Sequence, residues 1–422
     1  MTRVLICGVA PLPFENTQKN YGPGIRSWQF ARSLAAAGHQ VRLLAVTLDD
    51  AYVSPPVALE VVDGVEIERL SSGLFVNFDR IRAHFANFEP ECVVGATVYG
   101  SYALAIAQPT VPFWADQFGH LMAEAQAKAA IDGNDSVVLY FWKLLEPVLR
   151  WADHLSVVSE HQKWAAIGEL GAVGRLSFRT IGHEFAHVVP CALPPAAAGE
   201  AARVSHRRES PEQPFQTLWS GSYNTWSDVR TLVEGLEIAM GRNPTVRFVS
   251  TGGEIPGHDE STYRELVERV AHSPFSDRFE LRGWLIADEL PAILAASDLG
   301  ILTEKPIYEG MMGSKNRVVQ WMGSGLAVAY NNIGDLGALL DRQRLGLTFP
   351  VGDSEALADR ICWAAEHPEE LAALADAAQR YALENLTFSA TTRELVAWVD
   401  RPTFAPDNGF KPTVPVVSAP AV

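Results

Sequence analysis

Short apolar runs alternate with amphipathic stretches along almost the whole chain. Val4–Val9 is apolar throughout, Ala10–Gly24 reads as a Gly/Pro-rich loop, and Ile25–Ala37 carries the helical period, stopped by Gly38 at the C′ position. Val41–Val46 is the next apolar run. Strand, helix, strand with buried-type strands predicts a parallel sheet with crossover helices. Cys92–Val98, Val111–Trp114, Leu155–Ser159 and Val188–Cys191 extend the set of strands, and Val137–Asp153 predicts a helix. From Pro194 to Pro214 large apolar side chains nearly vanish while Pro, Ala and charged residues take over, the composition of a linker. The alternation then restarts. Strands are expected at Phe215–Trp219, Val246–Ser250, Phe279–Arg282, Leu299–Leu302 and Ala327–Tyr330. Between and after them, helices are expected at Asp228–Met240, Tyr263–Ala271, Leu290–Ala296, Asn316–Gly323 and Ala356–Ala365, with a last helical stretch from Pro368 to about Trp398.

The expected fold class is α/β, with two Rossmann-like doubly wound domains facing a central cleft. Residues 1–195 form the N-terminal domain, 196–214 the linker and 215–385 the C-terminal domain; 386–401 is a helix expected to pack back on the N-terminal domain, before a loose tail, 402–422. Open α/β sheets bind ligands outside the carboxyl ends of their strands. The chain's 422 residues fit two such domains. With 34 basic against 50 acidic residues the formal charge is −16, which disfavours a nucleic-acid partner. Cys7, Cys92, Cys191 and Cys362 are widely spaced with no CxxC pair, as reduced thiols are. No apolar run is long enough for a membrane span, and a cytoplasmic location is expected.

Candidate chemistry narrows the function classes. A dinucleotide fingerprint needs Gly-x-Gly-x-x-Gly directly after a strand; Gly22-Pro23-Gly24 lies too far downstream and Gly252-Gly253 lacks the third glycine, so NAD is disfavoured. The strongest signal is Tyr308–Val328, YEGMMGSKNRVVQWMGSGLAV. Here a strand ends, a loop with Glu309, Gly310 and Gly313 follows, and a helix opens with Ser314, Lys315, Asn316 and Arg317 in its first turn. Free N–H groups, the positive end of the helix dipole and two cations suit a diphosphate; the alternative is a capping serine beside two solvated basic residues. His183-Glu184-Phe185-Ala186-His187 spells the HExxH zinc pattern, but Gly182 and the following VVPCALPP leave no room for the helix it needs. It is read as a chance match, with no metal site.

Several segments, in order over roughly residues 1–400, resemble the retaining glycosyltransferases of the GT-B fold, family-4-like (glycosyl transferases group 1). They are Gly22-Pro23-Gly24 with the helix ending Ala37-Gly38-His39-Gln40-Val41, then Val157-Val158-Ser159, Val188–Leu193, Leu281–Trp284 followed by Asp288-Glu289-Leu290, and Ser314–Val328. The resemblance implies that Gly22 and Gly24 let backbone approach the donor, that Glu309 contacts the donor sugar, and that Lys315, Asn316 and Arg317 hold its diphosphate. It further implies that Gln320, in place of a second glutamate, meets the ribose, and that Gly283 and Trp284 flank the base. His120, then Asp116, in the stretch Trp114–His120, fall where the family turns a side chain toward the donor sugar. The family's usual Arg and Lys after the first strand of the second domain are absent here; the loop reads SGSYNTWSD, Ser220–Asp228. Tyr223 and Asn224 are candidates for hydrogen bonding or stacking on the donor, against a simple helix start capped by Ser227.

The implied function is sugar transfer from a nucleotide-diphosphate sugar to an acceptor hydroxyl, retaining and metal-independent, with no cofactor beyond the donor. The acceptor is expected to be a small molecule or glycan meeting the loop Ala10–Tyr21 and the segment Leu121–Tyr140. Two rivals stand beside it: a nucleotide-sugar epimerase of the same fold, and a catalytically silent binding or scaffold protein.

Overall fold

A computed structural model describes residues 1–15, 17, 21–47, 52, 57–195, 213–255, 257–285 and 289–410. Most of the expected linker, the end of the tail and Asp288 lie outside these residues. The chain divides into two compact units, one of Met1–Ala125, Asp135–Pro190 and Thr391 onward, the other of Gln126–Asn134 and Cys191–Ala390.

The first unit is built on β1 (Arg3–Val9), β2 (Gln40–Val46), β3 (Leu59–Val62), β4 (Val65–Leu70), β5 (Cys92–Gly95), β6 (Phe113–Asp116), β7 (His154–Val157) and β8 (Ala186–Val188). They form one sheet in the order β3-β4-β2-β1-β5-β6-β7-β8. Every pairing is parallel except the β3–β4 hairpin, and Ile6 of β1 faces Leu43 on one side and Val94 on the other. Helices cover both faces, so β1 has no solvent side and reads as a continuous apolar run. The apolar core gathers Leu104, Phe113, Phe141, Leu145 and Leu149. The hairpin turns on Asp63 and Gly64, whose φ angles of 51° and 82° are the left-handed pair a two-residue turn needs.

Several expected boundaries move, among them Val188–Cys191, whose strand is Ala186–Val188. The strand predicted over Cys92–Val98 stops at Gly95, and a helix, Thr97–Ala107, starts at once. Gly22 to Gly24 are not loop but the first turn of the helix Gly22–Ala36, with Pro23 in the opening position that tolerates proline. Gly24 is needed there for close approach, since a Cβ would stand 1.7 Å from the Pro11 carbonyl oxygen.

The chain returns to the first unit through the helix Arg393–Asp400: Thr2 Oγ1 donates to the Val399 carbonyl (3.0 Å), and His39 lies 3.5 Å from Asp400. Further on, Asp407 accepts from Arg175, whose Nη1 also donates to the carbonyls of Leu149, Arg150 and Ala152 at the end of the helix Ser136–Trp151. A cation there satisfies the terminal carbonyls and the negative end of the dipole.

Three histidines cluster under two tryptophans in this unit. His154 Nδ1 and His187 Nε2 are 3.1 Å apart, His183 Nε2 meets the Asp153 carbonyl, and Trp114 stacks on His154 and His187 at 5.6 and 4.8 Å. His187 lies in β8, so the HEFAH segment has no helix to bring its two histidines to one ion. Burial, then the neighbouring imidazoles His183 and His187, depress His154 to about 3, and burial lowers His187 as well. The folded state therefore refuses protons that the unfolded chain accepts below about pH 6.5. Stability should be complete above that pH and fall with acidification, by about 2 kcal/mol between pH 7 and pH 5 from His154 alone. Urea unfolding at the two pH values checks this, and His154→Phe should flatten the slope.

The second unit holds β9 (Phe215–Ser220), β10 (Val246–Thr251), β11 (Phe279–Leu281), β12 (Leu299–Leu302), β13 (Ala327–Asn331) and β14 (Leu347–Phe349). Its sheet is parallel in the order β11-β10-β9-β12-β13-β14, so the direction of winding reverses between β9 and β12. That reversal opens a crevice at their carboxyl ends, where doubly wound sheets take ligands.

Candidate functional site

The loops leaving β9 and β12 are zipped together at this crevice. Asp228 N donates to the Thr303 carbonyl (3.0 Å), Thr303 Oγ1 to the Asp228 carbonyl (2.7 Å), and Lys305 Nζ to the Thr225 carbonyl (2.9 Å). Asp228, rather than Ser227, caps the helix Val229–Arg242, accepting from Thr231 N and Oγ1; the Ser227 hydroxyl instead accepts from Asn224 N. The loops after β10 and β11 join through glycines. Gly252 (φ 92°) donates to the Gly283 carbonyl at 2.6 Å, and a Cβ on it would lie 2.2 Å from the Gly221 oxygen. Trp284, partly exposed, donates from Nε1 to the Glu254 carbonyl at 3.1 Å and borders Gly253.

The two basic residues of the helix start have different surroundings. Lys315 is the N-cap of the helix Asn316–Ser324, and its ammonium is buried between two carboxylates, 2.9 Å from Glu304 and 3.1 Å from Glu309. Glu304 also accepts from the buried Tyr330 hydroxyl. Gly313 makes room for the ion pair, since a Cβ there would fall 2.7 Å from Glu309 Oε1 and 2.8 Å from Lys315 Nζ. Burial opposes the charge on Lys315, but the two carboxylates outweigh it and push its pKa up to about 12. The triad's formal charge is −1. Lys315 is thus committed inside the protein and does not offer the solvated cation expected from sequence.

Arg317 is the opposite case. Its guanidinium lies over the Trp219 ring at 4.7 Å, and Nη2 donates to the Ser222 carbonyl (2.5 Å). Nη1 is shut off from solvent with no acceptor, and among the described residues no carboxylate pairs with the group. Burial lowers its pKa to about 10, with Tyr223 and Glu304 offsetting only part of that, so at neutral pH it remains a cation in need of an anion. The Asn224 Oδ1 and Thr225 Oγ1 atoms nearby in the chain are likewise enclosed and unpaired.

Tyr223 is not a surface for stacking. It is fully buried, lies 4.6 Å from Trp219 in parallel, and shares a 2.7 Å hydrogen bond with Ser250. Asn316 and Gln320 are partly buried on the helix that follows Lys315. Sequence reasoning passed over Glu304 altogether; a glutamate one residue past a buried strand and its threonine was the available signal.

In the first unit Asp116 is wholly buried at the end of β6. Its oxygens accept from Arg26 (2.7 and 3.1 Å), Thr97 N (3.0 Å) and Ser156 Oγ (2.6 Å), which leaves it a structural anchor rather than an open acid. His120 stands at the start of the helix Leu121–Asp132. Its Nδ1 accepts from Ala123 N (3.1 Å), and its Nε2 lies 3.1 Å from Glu169.

Residues 214–367, most of the second unit, match the family described as Glycosyl transferases group 1. This part of the chain resembles a group 1 glycosyl transferase domain. A mannosylfructose-phosphate synthase from Agrobacterium fabrum is 29% identical over 126 residues, which is 28% of this chain and 28% of that relative's length. Among solved structures, a sucrose-phosphate synthase from Thermosynechococcus elongatus has a TM-score of 0.70 at 16% identity, covering 95% of this chain and 99% of its own. An α,α-trehalose-phosphate synthase (UDP-forming) from Burkholderia vietnamiensis gives 0.67 at 13% identity, with 95% and 99% covered. Anabaena HepE, solved in complex with UDP-glucose, gives 0.63 at 15%, with 95% and 100% covered. The fold is that of the GT-B glycosyltransferases, and the crevice beside Arg317 lies within the matched residues.

Proposed function

We propose that the protein transfers a hexose from a nucleoside-diphosphate sugar to an acceptor hydroxyl, with retention of configuration and with no metal requirement. The observation that carries this reading is Arg317. A half-buried guanidinium whose enclosed Nη1 has no partner, at the switch point of the second unit's sheet, suits phosphate oxygens. When the bond from the sugar's anomeric carbon to the phosphate oxygen breaks, that oxygen keeps the electron pair and its negative charge grows. Arg317, with the N–H groups opening the helix Asn316–Ser324, stabilises that charge. This also answers the missing cations of Ser220–Asp228, because Arg317 reaches across to that loop from the neighbouring helix.

In this reading Glu309, oriented by Lys315, accepts a donor-sugar hydroxyl, Gln320 bonds the ribose through its amide, and the Gly283 and Trp284 stretch flanks the base. Asn316 contributes its backbone N–H to the diphosphate. His120 is assigned to the sugar end as a positioning group, its ring held by the Ala123 N–H on Nδ1 and by Glu169 at Nε2. Asp116 acts through Arg26 and Thr97 as a positioning group. UDP is the first nucleotide to try, because HepE was solved with UDP-glucose.

The test is incubation of the full chain with UDP-, GDP- and TDP-hexoses and a panel of sugars and sugar phosphates, with and without EDTA. Release of nucleoside diphosphate together with an α-linked product from an α-linked donor is expected, unchanged by EDTA. A donor whose sugar changes configuration with no acceptor product would identify an epimerase instead, and no turnover of any donor would overturn the reading.

A further inference from the structure

The buried ion pair at the start of the helix Asn316–Ser324 holds one carboxylate more than its charge requires. A single acid would neutralise Lys315, yet Glu304 and Glu309 stand 2.9 and 3.1 Å from its ammonium. The second enclosed carboxylate adds a desolvation cost that fold stability alone gives no reason to keep. The two acids also differ in how they are held.

Glu304 is fixed on every side. It lies two residues past the end of β12, with its N–H donating to Asn331 Oδ1 (3.1 Å) and its carbonyl accepting from Asn331 Nδ2 (2.7 Å). Both backbone groups are thereby tied to the end of β13. One carboxylate oxygen meets Lys315, and the other accepts from the hydroxyl of Tyr330, a fully buried residue of β13. With its side chain 1% exposed, Glu304 itself touches no ligand.

Glu309 is held differently. It sits on the short helix Tyr308–Met312, its side chain is 10% exposed, and its oxygens lie 3.1 and 3.4 Å from Lys315 Nζ. Gly310 lets this short helix lie against the chain beside Glu304, since a Cβ there would come 2.8 Å from the Lys305 carbonyl oxygen. Lys315 thus stands between a rigid carboxylate and a more open one. The rigid anion sets the place of the ammonium, and the ammonium sets the direction of Glu309.

We propose that Glu304, steadied by Tyr330, is a positioning residue that acts through Lys315 to aim the Glu309 carboxylate at a hydroxyl of the donor sugar. This rests on the glycosyl-transfer reading, in which Glu309 meets the sugar and Arg317 the diphosphate.

The full-length protein is titrated calorimetrically with two pairs of probes, UDP with UDP-glucose and GDP with GDP-mannose. Glu304→Gln keeps the shape and removes the charge. The bare diphosphate should bind as well as before or better, because a negative charge close enough to act on Arg317 is gone. The nucleotide sugar should lose its charged hydrogen bond from Glu309, so the ratio of the two affinities should shift at least about 10-fold against the sugar. Glu304→Asp keeps the charge on a shorter arm and should recover part of that ratio. Tyr330→Phe leaves all the charges in place and should shift the ratio severalfold in the same direction.

A purely structural Glu304 would weaken both members of a pair together while the melting temperature falls, and that result overturns the proposal. An unchanged ratio in Glu304→Gln overturns it as well; if that variant does not fold, an unchanged ratio in Tyr330→Phe does so. Failure of the wild type to bind any probe would remove the glycosyl-transfer reading and this proposal with it. Binding of a pair with the same ratio in every variant would remove this proposal alone.

Discussion

Arg26→Met should cost about 3–5 kcal/mol of folding stability, the loss expected when one member of a buried ion pair is removed. Arg26 and Asp116 are both fully enclosed, bound in bidentate fashion, and the guanidinium also lies over the Phe30 ring at 4.5 Å. Without it a buried carboxylate keeps only Thr97 N and Ser156 Oγ as partners. Arg26 Nη1 further donates to Gln29 Oε1 and the Pro190 carbonyl, so the loss reaches the segment where the chain leaves the first unit. Urea unfolding reads the effect. The double variant Arg26→Met with Asp116→Leu should be more stable than Arg26→Met alone, because it removes the stranded charge as well. Equal stability of Arg26→Met and wild type would contradict the assignment.

The second large effect is on function. Arg317→Ala should lower affinity for nucleoside diphosphate about 100-fold and turnover by a similar or greater factor, since charge-assisted donors are strong and one preorganised donor is commonly worth about 100- to 1,000-fold in rate. Stability should change little or improve, because the variant removes a half-buried cation whose Nη1 has no internal acceptor. Arg317→Lys should recover only part of the affinity, since an ammonium cannot reproduce a planar fork lying over Trp219. Lower activity with unchanged nucleotide affinity would place the diphosphate elsewhere.

The second unit was the more legible half. Its strands are short, apolar and separated by amphipathic helices, so Leu299–Leu302 matches residue for residue and Val246–Thr251 to within one. The hairpin β3–β4 escaped although Asp63-Gly64 is a strong turn signal, because its outer strand alternates exposed and half-buried positions and shows no apolar run. Gly22 to Gly24 read as loop because glycine and proline weaken helix propensity, yet proline suits a first helical turn and the Pro11 carbonyl excludes any larger residue at Gly24. At the site, the motif named both cations of one helix start but not their different surroundings. Which of Lys315 and Arg317 stays available depends on Glu304, brought to Lys315 only by the fold, and local spacing cannot report such a contact. The burial of Tyr223 is likewise a tertiary fact.

The proposed nucleoside-diphosphate site on Arg317 is open to direct observation. A crystal structure of the protein with UDP tests it most directly. Phosphate oxygens are expected within about 3 Å of Arg317 Nη1, with Lys315 still paired to Glu304 and Glu309. A diphosphate bound away from Arg317, or seated on a Lys315 released from both carboxylates, would contradict it.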